Sequence, residues 1–320
     1  MASSDTAAAQ SGTPGTGTGT DDTAPPPAAA PAGDLAGLEA GLDALETPAG
    51  TDREPGRAGR LVLTKILPPL VAIGLVLAVW QLVYVAEVQP HYLLPGPADV
   101  YGEFEEMWLA GTLLDYVWTS ISRGILGFLI AVAIGTVLGL VVARVKLVRA
   151  AIGPILTGLQ SLPSVAWVPA AIIWFGLSSS TIYAVVLLGA VPSIANGIVA
   201  GVDQIPPLFL RAGRMLGARG LTSVRHVLLP AALPGYLAGL KQGWAFSWRS
   251  LMAAELIVSS PDLGTGLGQL MDNFRTMQNM SGVLATIILI LVVGVAIDLL
   301  VFSPLERRVL RGRGLLARTS

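Results

Sequence analysis

Beyond Arg60 the chain alternates between long apolar runs and short polar segments. A hydrocarbon core of ~30 Å is crossed by about 20 apolar residues in a helix. Six runs fit that need, roughly 66–86, 117–142, 153–175, 181–200, 235–258 and 282–303. The pattern predicts an all-α polytopic membrane protein with six transmembrane helices within residues 60–320. The third run is irregular, because Pro154, Pro163 and Pro169 interrupt it and Gln160, Ser161 and Ser164 set polar groups beside the breaks. In lipid, freed backbone groups must be met by protein or by a wet cavity, so this span is expected to face the bundle interior. Gly135 and Gly139, Gly197 and Gly201, and Gly235, Gly239 and Gly243 stand four apart, a spacing that lets helix backbones approach closely.

Residues 1–59 differ in kind. They are rich in Ala, Gly, Pro and Thr and read as a disordered tail on the cytoplasmic side, unable to bury enough apolar surface to offset chain entropy. Leu35, Leu38, Leu42 and Leu45 recur at helical spacing behind Asp34, which allows one short amphipathic helix there. Composition narrows the class further. Of the 320 residues 53% are hydrophobic and 13% charged, against about 25% charged in soluble domains. The chain has no cysteine, and its only histidines are His91 and His226. Disulfides and thiolate or histidine metal clusters are thereby excluded.

The distribution of Lys and Arg sets orientation. Arg53, Arg57, Arg60 and Lys65, then Arg144, Lys146 and Arg149, then Arg211, Arg214, Arg219 and Arg225, and finally Arg307, Arg308, Arg311, Arg313 and Arg318 fall on one side. Outside segments keep Arg123 and Arg275, and the stretch 87–115 is acidic. By the positive-inside rule both termini and the 200–234 loop are cytoplasmic. In that loop Leu208, Ala212, Met215 and Leu216 share one helical face, and Gly217 stands where a C-cap glycine would stop the helix. Ser223 is expected to cap a second helical turn running to Leu229, with Pro230 after it. An amphipathic helix resting on anionic lipid would read the same way.

Arg211-Ala-Gly-Arg-Met-Leu-Gly217, followed by Val227-Leu-Leu-Pro230 and Pro234, resembles the EAA loop of binding-protein-dependent ABC transporter permeases. The resemblance implies that loop 206–230 is a coupling segment docking on an ATPase subunit, with Leu208, Arg211, Ala212, Arg214, Met215, Gly217 and Pro230 at the contact. Arg211 stands where the family's glutamate sits, and Gly213 where its second alanine does. Leu93-Leu-Pro-Gly-Pro97, then Ser120, Arg123 and Gly127, then Pro163-Ser-Val-Ala-Trp-Val-Pro169 with Trp174-Phe-Gly176, and Ser247-Trp248 with Ala253-Ala-Glu255 are similar to the nitrate, sulfonate and taurine branch. Aliphatic-sulfonate permeases look most alike. The resemblance implies a type I ABC importer permease fold with a cytoplasmic coupling helix. It also implies a permease homodimer in the cell membrane, two copies of an ABC ATPase that use ATP and Mg, and an extracytoplasmic substrate-binding protein. No cofactor, metal, catalytic residue or nucleic-acid partner is expected of this chain.

Charges inside spans cost ~2.5–3.5 kcal/mol each on insertion scales and require partners or a wet path. Lys241 and Asp298 lie at matching depths in antiparallel spans and are expected to pair, or else to snorkel to the interface. Arg249 and Glu255 are six residues apart and cannot pair along one helix face. Candidate path residues are Gln160, Ser161, Trp167, Trp248 and Arg249, the last offering a charge-assisted fork to an anion such as a sulfonate. Alternatively Arg249 is held by Glu255 of a neighbouring subunit or by carbonyls of the broken third span. No phosphate-cradling Gly-x-x-x-x-Gly-Lys motif occurs, so ATP hydrolysis is assigned to a partner. A secondary transporter working through Glu255 and Asp298 is the rival reading, and nitrate, taurine or a pyrimidine precursor are rival substrates.

Overall fold

A computed structural model describes residues 67–259 and 263–311. The N-terminal tail, its leucine repeat included, lies outside the described residues, as do Arg313 and Arg318. The chain divides into two units between Pro69 and Leu70. The second unit holds the helical bundle, and Leu67–Pro69 open its first helix.

Every regular element among the described residues is helical. Helix α1 (Leu67–Val85) has no buried residue. A short turn leads to α2 (Pro97–Leu109), then α3 (Leu113–Arg144) and α4 (Lys146–Ser161). A 3-10 turn (Ser164–Trp167) precedes α5 (Val168–Phe175), and α6 runs Ser179–Asp203. Next come α7 (Pro207–Met215) and α8 (Gly220–Ser223), a π turn (Val224–Leu228), and α9 (Leu229–Ile257). Helices α10 (Leu267–Thr276) and α11 (Met280–Ile297) come after it, and a second π turn (Asp298–Phe302) carries the chain into α12 (Ser303–Arg311).

Four helical stretches are long and apolar enough to cross a membrane, namely Leu67–Val85, Leu113–Arg144, Ser179–Asp203 and Met280–Arg311. The third expected span is a bent pair: Lys146–Ser161 and Ser164–Phe175 meet at 103°. The break falls at Pro163, which precedes the 3-10 turn. Pro154 is absorbed inside α4, and Pro169 sits in the first turn of α5, where its missing N–H leaves no bond unmade. The expected fifth span corresponds to α9, whose 29 residues reach roughly 43 Å at ~1.5 Å per residue. Lys241, Gln242, Arg249 and Glu255 keep it out of the apolar class. Among the described residues apolarity thus marks four spanning helices, or five with the bent pair, against the six expected; α9 is long enough but too polar to be counted with them.

Helix α6 is the spine of the fold. Ile182, Val185, Val186, Ala190, Ile194 and Ile198 are almost inaccessible along it, because α3 and α9 close on either side. Glycine makes both closures possible. A Cβ at Gly139 on α3 would come within 2.8 Å of the Ala195 carbonyl oxygen. One at Gly197 would lie 2.4 Å from the Gly239 Cα, and one at Gly235 2.5 Å from the Gly201 Cα. The glycine spacings thus place backbone against backbone. Outward, α1 and α3 present Leu75, Val76, Leu82, Leu126, Leu129 and Val137, each at least 45% exposed. Stripes of this kind suit lipid.

Two short helices, α2 and α10, arise where only loops were expected. Pro97 opens α2, and the Asp99 carboxylate accepts a hydrogen bond from the Gly96 N–H (2.8 Å). Together these form a helix start. Val100 and Met107 of α2 bury themselves in a cluster with Leu270 and Ala285.

Candidate functional site

The loop between α6 and α9 is built around α7. Pro207 occupies its first turn, and the chain leaves through Gly217 at φ +80°. Gly217 N–H donates to the Arg214 carbonyl (3.1 Å) and Ala218 N–H to that of Gly213 (2.9 Å). This pair of bonds requires a left-handed residue after the helix, which favours glycine. Gly213 faces inward, where a Cβ would sit 2.8 Å from Val227 Cγ2. The missing side chain at Gly213 therefore lets α7 lie close to the π turn. On the opposite side Leu208 (72%), Met215 (82%) and Leu216 (87%) are exposed, as are Phe209, Arg211, Ala212 and Arg214. Large apolar side chains flanked by arginines form a surface of the kind that meets another protein or a lipid headgroup layer.

The second arm of the loop departs from expectation. Ser223 is helical (φ −63°, ψ −38°) and its side chain caps nothing. The segment from Gly220 passes through the π turn directly into α9, with Pro230 in the first turn of that helix. The arm is an inward extension of the fifth long helix, because Leu228 buries itself and the helical path continues through Leu229 instead of ending there. Leu228 joins Ile205 and Ala232 in a small core, with Leu210 of α7 packed against it.

The five candidate path residues separate into two groups. Trp248 and Arg249 line a groove of about 840 Å³ between α9 and α11, together with Lys241, Gln242, Ile287, Ile290, Leu291, Val295, Asp298 and Glu306. Gln160, Ser161 and Trp167 lie elsewhere. Asn196 Nδ2 donates to Gln160 Oε1 (2.7 Å) and Gln160 Nε2 donates to Ser193 Oγ (2.8 Å), which fastens α4 to α6 just before the 103° bend. Ser161 Oγ donates to the Gly158 carbonyl (2.7 Å), and Trp167 is half-buried on the 3-10 turn. Trp248 is only 7% exposed and stacks on Trp244 at 6.1 Å, so its body belongs to the core while its edge reaches the groove. Its indole N–H and the hydroxyls of Ser247 and Ser250 are buried and have no hydrogen-bond partner among the described residues.

Arg249 is exposed on the groove wall, its guanidinium 5.5 Å from the Phe246 ring. Among the described residues no carboxylate comes within 4.0 Å of it. Lys241 Nζ lies 3.3 Å from Asp298 Oδ1 and 3.8 Å from Glu306 Oε2, at the groove's inner end. Glu255 is entirely buried and serves another partner. Arg123 Nη1 donates to its Oε1 (3.0 Å), while Ser120 Oγ (2.7 Å) and Gly268 N–H (3.1 Å) donate to Oε2. Arg123 Nη2 donates to the carbonyls of Leu263 and Gly264.

A family model described as the inner membrane component of binding-protein-dependent transport systems matches residues 131–310. The chain belongs to this family. It is similar to a putative ABC transporter permease protein of Methanocaldococcus jannaschii, 31% identical over 242 residues, covering 74% of this chain and 87% of that one. It is also similar to a putative aliphatic sulfonates transport permease protein of Bacillus subtilis, 30% identical over 261 residues, covering 82% and 91%. The fold matches that of the inward-facing MetNI methionine ABC transporter, with TM-score 0.52 and 23% identity, covering 63% of this chain and 97% of the other. This is a multi-pass membrane permease of the ABC importer class, a transport component with the type I importer fold.

The Arg123–Glu255 network is a finding of the structure. Charge distribution alone groups Arg123 with the outer segments and weighs Glu255 against Arg249 or as a transporter carboxylate with Asp298, not against Arg123. One signal is present in the sequence: Ser120 and Arg123 are three residues apart and so share a helical face, and Gly266 and Gly268 provide the space a buried carboxylate needs. A Cβ on Gly266 would meet the Glu255 oxygens at 2.5 and 2.6 Å.

Proposed function

We propose that this permease forms the path for a small organic anion, an aliphatic sulfonate before nitrate, taurine or a pyrimidine precursor. The observation that carries the reading is Arg249, a cation on α9 with no carboxylate partner among the described residues, in a groove whose other walls are largely aliphatic and aromatic. A guanidinium offers a charge-assisted fork to a sulfonate head, and Ile287, Ile290, Leu291 and Val295 suit a hydrocarbon tail better than a bare inorganic anion. Similarity to a permease named for aliphatic sulfonates supports the same order.

In this reading two copies of the chain enclose the path. The α7 surface, with Leu208, Arg211, Ala212, Arg214, Met215 and the Gly217 turn, docks on an ABC ATPase that hydrolyses ATP with Mg. An extracytoplasmic binding protein delivers substrate, and the termini lie in the cytoplasm. The Lys241–Asp298 pair closes the inner end of the groove as a structural link.

The test is uptake by the permease–ATPase complex in vesicles, supplied with its binding protein. Arg249→Gln is expected to abolish alkanesulfonate uptake while ATP hydrolysis persists. Unchanged uptake would refute the path role. Uptake that runs without the ATPase and collapses with the proton gradient would establish a secondary transporter instead.

A further inference from the structure

Helix α9 has two differently anchored ends. Its inner end continues through the π turn that packs on Gly213 of α7. Near its outer end, Glu255 points into a site where no solvent reaches. Helix α10 begins at that site, and its first N–H groups have no partner within their own helix. They are taken up from outside: Leu267 N–H donates to Ser120 Oγ (2.8 Å) on α3, and Gly268 N–H donates to Glu255 Oε2 (3.1 Å) on α9. Glu255 thus caps α10 from another helix, with a negative charge at the positive end of the helix dipole.

Arg123 completes the joint. One nitrogen neutralises Glu255 and the other holds the Leu263 and Gly264 carbonyls, just ahead of the α10 cap. Gln269 Nε2 donates to the Val258 carbonyl (2.9 Å), tying the first turn of α10 back to the end of α9. Glycines 266 and 268 admit the carboxylate, since a Cβ on Gly268 would lie 2.6 Å from the Glu255 Cβ. The start of α10 is therefore fixed to α9 as one piece. In turn α9 is held to α6 by the facing glycines, and α6 ends immediately before α7.

We propose that Arg123 and Glu255 are positioning residues that join the inner docking helix to the outer face. They hold α10 on the end of α9, so that a displacement of α7 reaches the surface to which an extracytoplasmic binding protein comes. The inference rests on the permease reading of the chain. A buried pair that served stability alone would fix α3 to α9. This one, with Ser120, also makes four hydrogen bonds to α10 and the residues leading into it.

The experiment uses the full permease–ATPase complex with its binding protein. The double variant Arg123→Gln/Glu255→Gln removes both charges and leaves neutral amides able to hydrogen-bond, which avoids the uncompensated charge of either single variant. Basal ATP hydrolysis is expected to persist, while stimulation by substrate-loaded binding protein falls roughly tenfold, a size ordinary for site-to-site coupling. The chain lacks cysteine, so spin labels at Arg219→Cys on the inner loop and Thr276→Cys on α10 report separately. On adding ATP and Mg, both labels are expected to respond in the otherwise native chain and only the inner one in the double variant.

Undiminished stimulation and an outer response in the double variant would overturn the inference while leaving the permease reading intact. So would an outer label that stays silent in the native background while the inner label responds, a result that needs no charge variant. Lack of any stimulation in the native complex would instead count against the permease reading.

Discussion

The crossing of α6 and α9 offers the sharpest stability test. At Gly239 a Cβ would sit 2.6 Å from the Gly197 Cα, so the obstacle is backbone and no rotamer change relieves it. Ordinary carbon contacts need about 3.5–4.0 Å, so Gly239→Ala must drive the two helices apart by roughly an ångström. Overpacking of a closed core costs about 1–3 kcal/mol. Because α6 and α9 form the most extensive helix pair in the fold, we expect the upper half of that range. Gly158 on α4 is the control: nothing lies within 4 Å of its Cβ position, and Gly→Ala in an open helix gains up to ~1 kcal/mol in propensity. Thermal unfolding in detergent, at about 2–4 °C per kcal/mol, should lower the midpoint for Gly239→Ala and hold or raise it for Gly158→Ala. Equal midpoints for the two variants would refute the close-crossing argument.

The same contacts carry other expectations. Gly217→Asp places a side chain at φ +80°, a strain on the order of 1 kcal/mol; it should uncouple ATP hydrolysis from transport while membrane insertion, read by fractionation, stays normal. Gln160→Leu strips Ser193 and Asn196 of their partner beside the bend and should cost about 1–3 kcal/mol by unfolding midpoint, with wild-type stability as the refuting result. Lys241→Ala leaves the Asp298 carboxylate inside a span without its cation at 3.3 Å and should cost more than the ~0–1 kcal/mol of a water-screened surface pair; a loss within that range would mean that the groove is wet.

Much of this architecture is legible in the apolar runs and the glycine spacings, because in lipid those patterns have few solutions. Positive charge sets the 200–234 loop apart from the spans, and Gly217 is recognisable as the end of α7 from local chemistry alone. Long-range contacts are what local pattern does not reveal. Ser223 looks like a cap locally, but the burial of Leu228 carries the helix through it. Helices α2 and α10 are too short and too polar to announce themselves as spans, and their packing against α11 stabilises them. The network at Glu255 joins Ser120, Arg123 and Gly268 across 132 or more residues for its α3 members, a distance no spacing rule covers. Gln160 stands out in the sequence as a polar group beside a break, yet its amide is consumed in fastening α4 to α6.

The polarity of α9 also bears on how the protein is made. With Lys241, Arg249 and Glu255 in its length, this helix gains little from entering lipid alone, since each charge costs ~2.5–3.5 kcal/mol at mid-bilayer. Glu255 meets Arg123 on α3, which is synthesised earlier, whereas Lys241 waits for Asp298, which emerges 57 residues later. Insertion of α9 is therefore a cooperative event completed only when α11 arrives. A nascent chain cut between α9 and α11 should leave α9 loosely held at the membrane, exposed to the quality-control proteases of the cell.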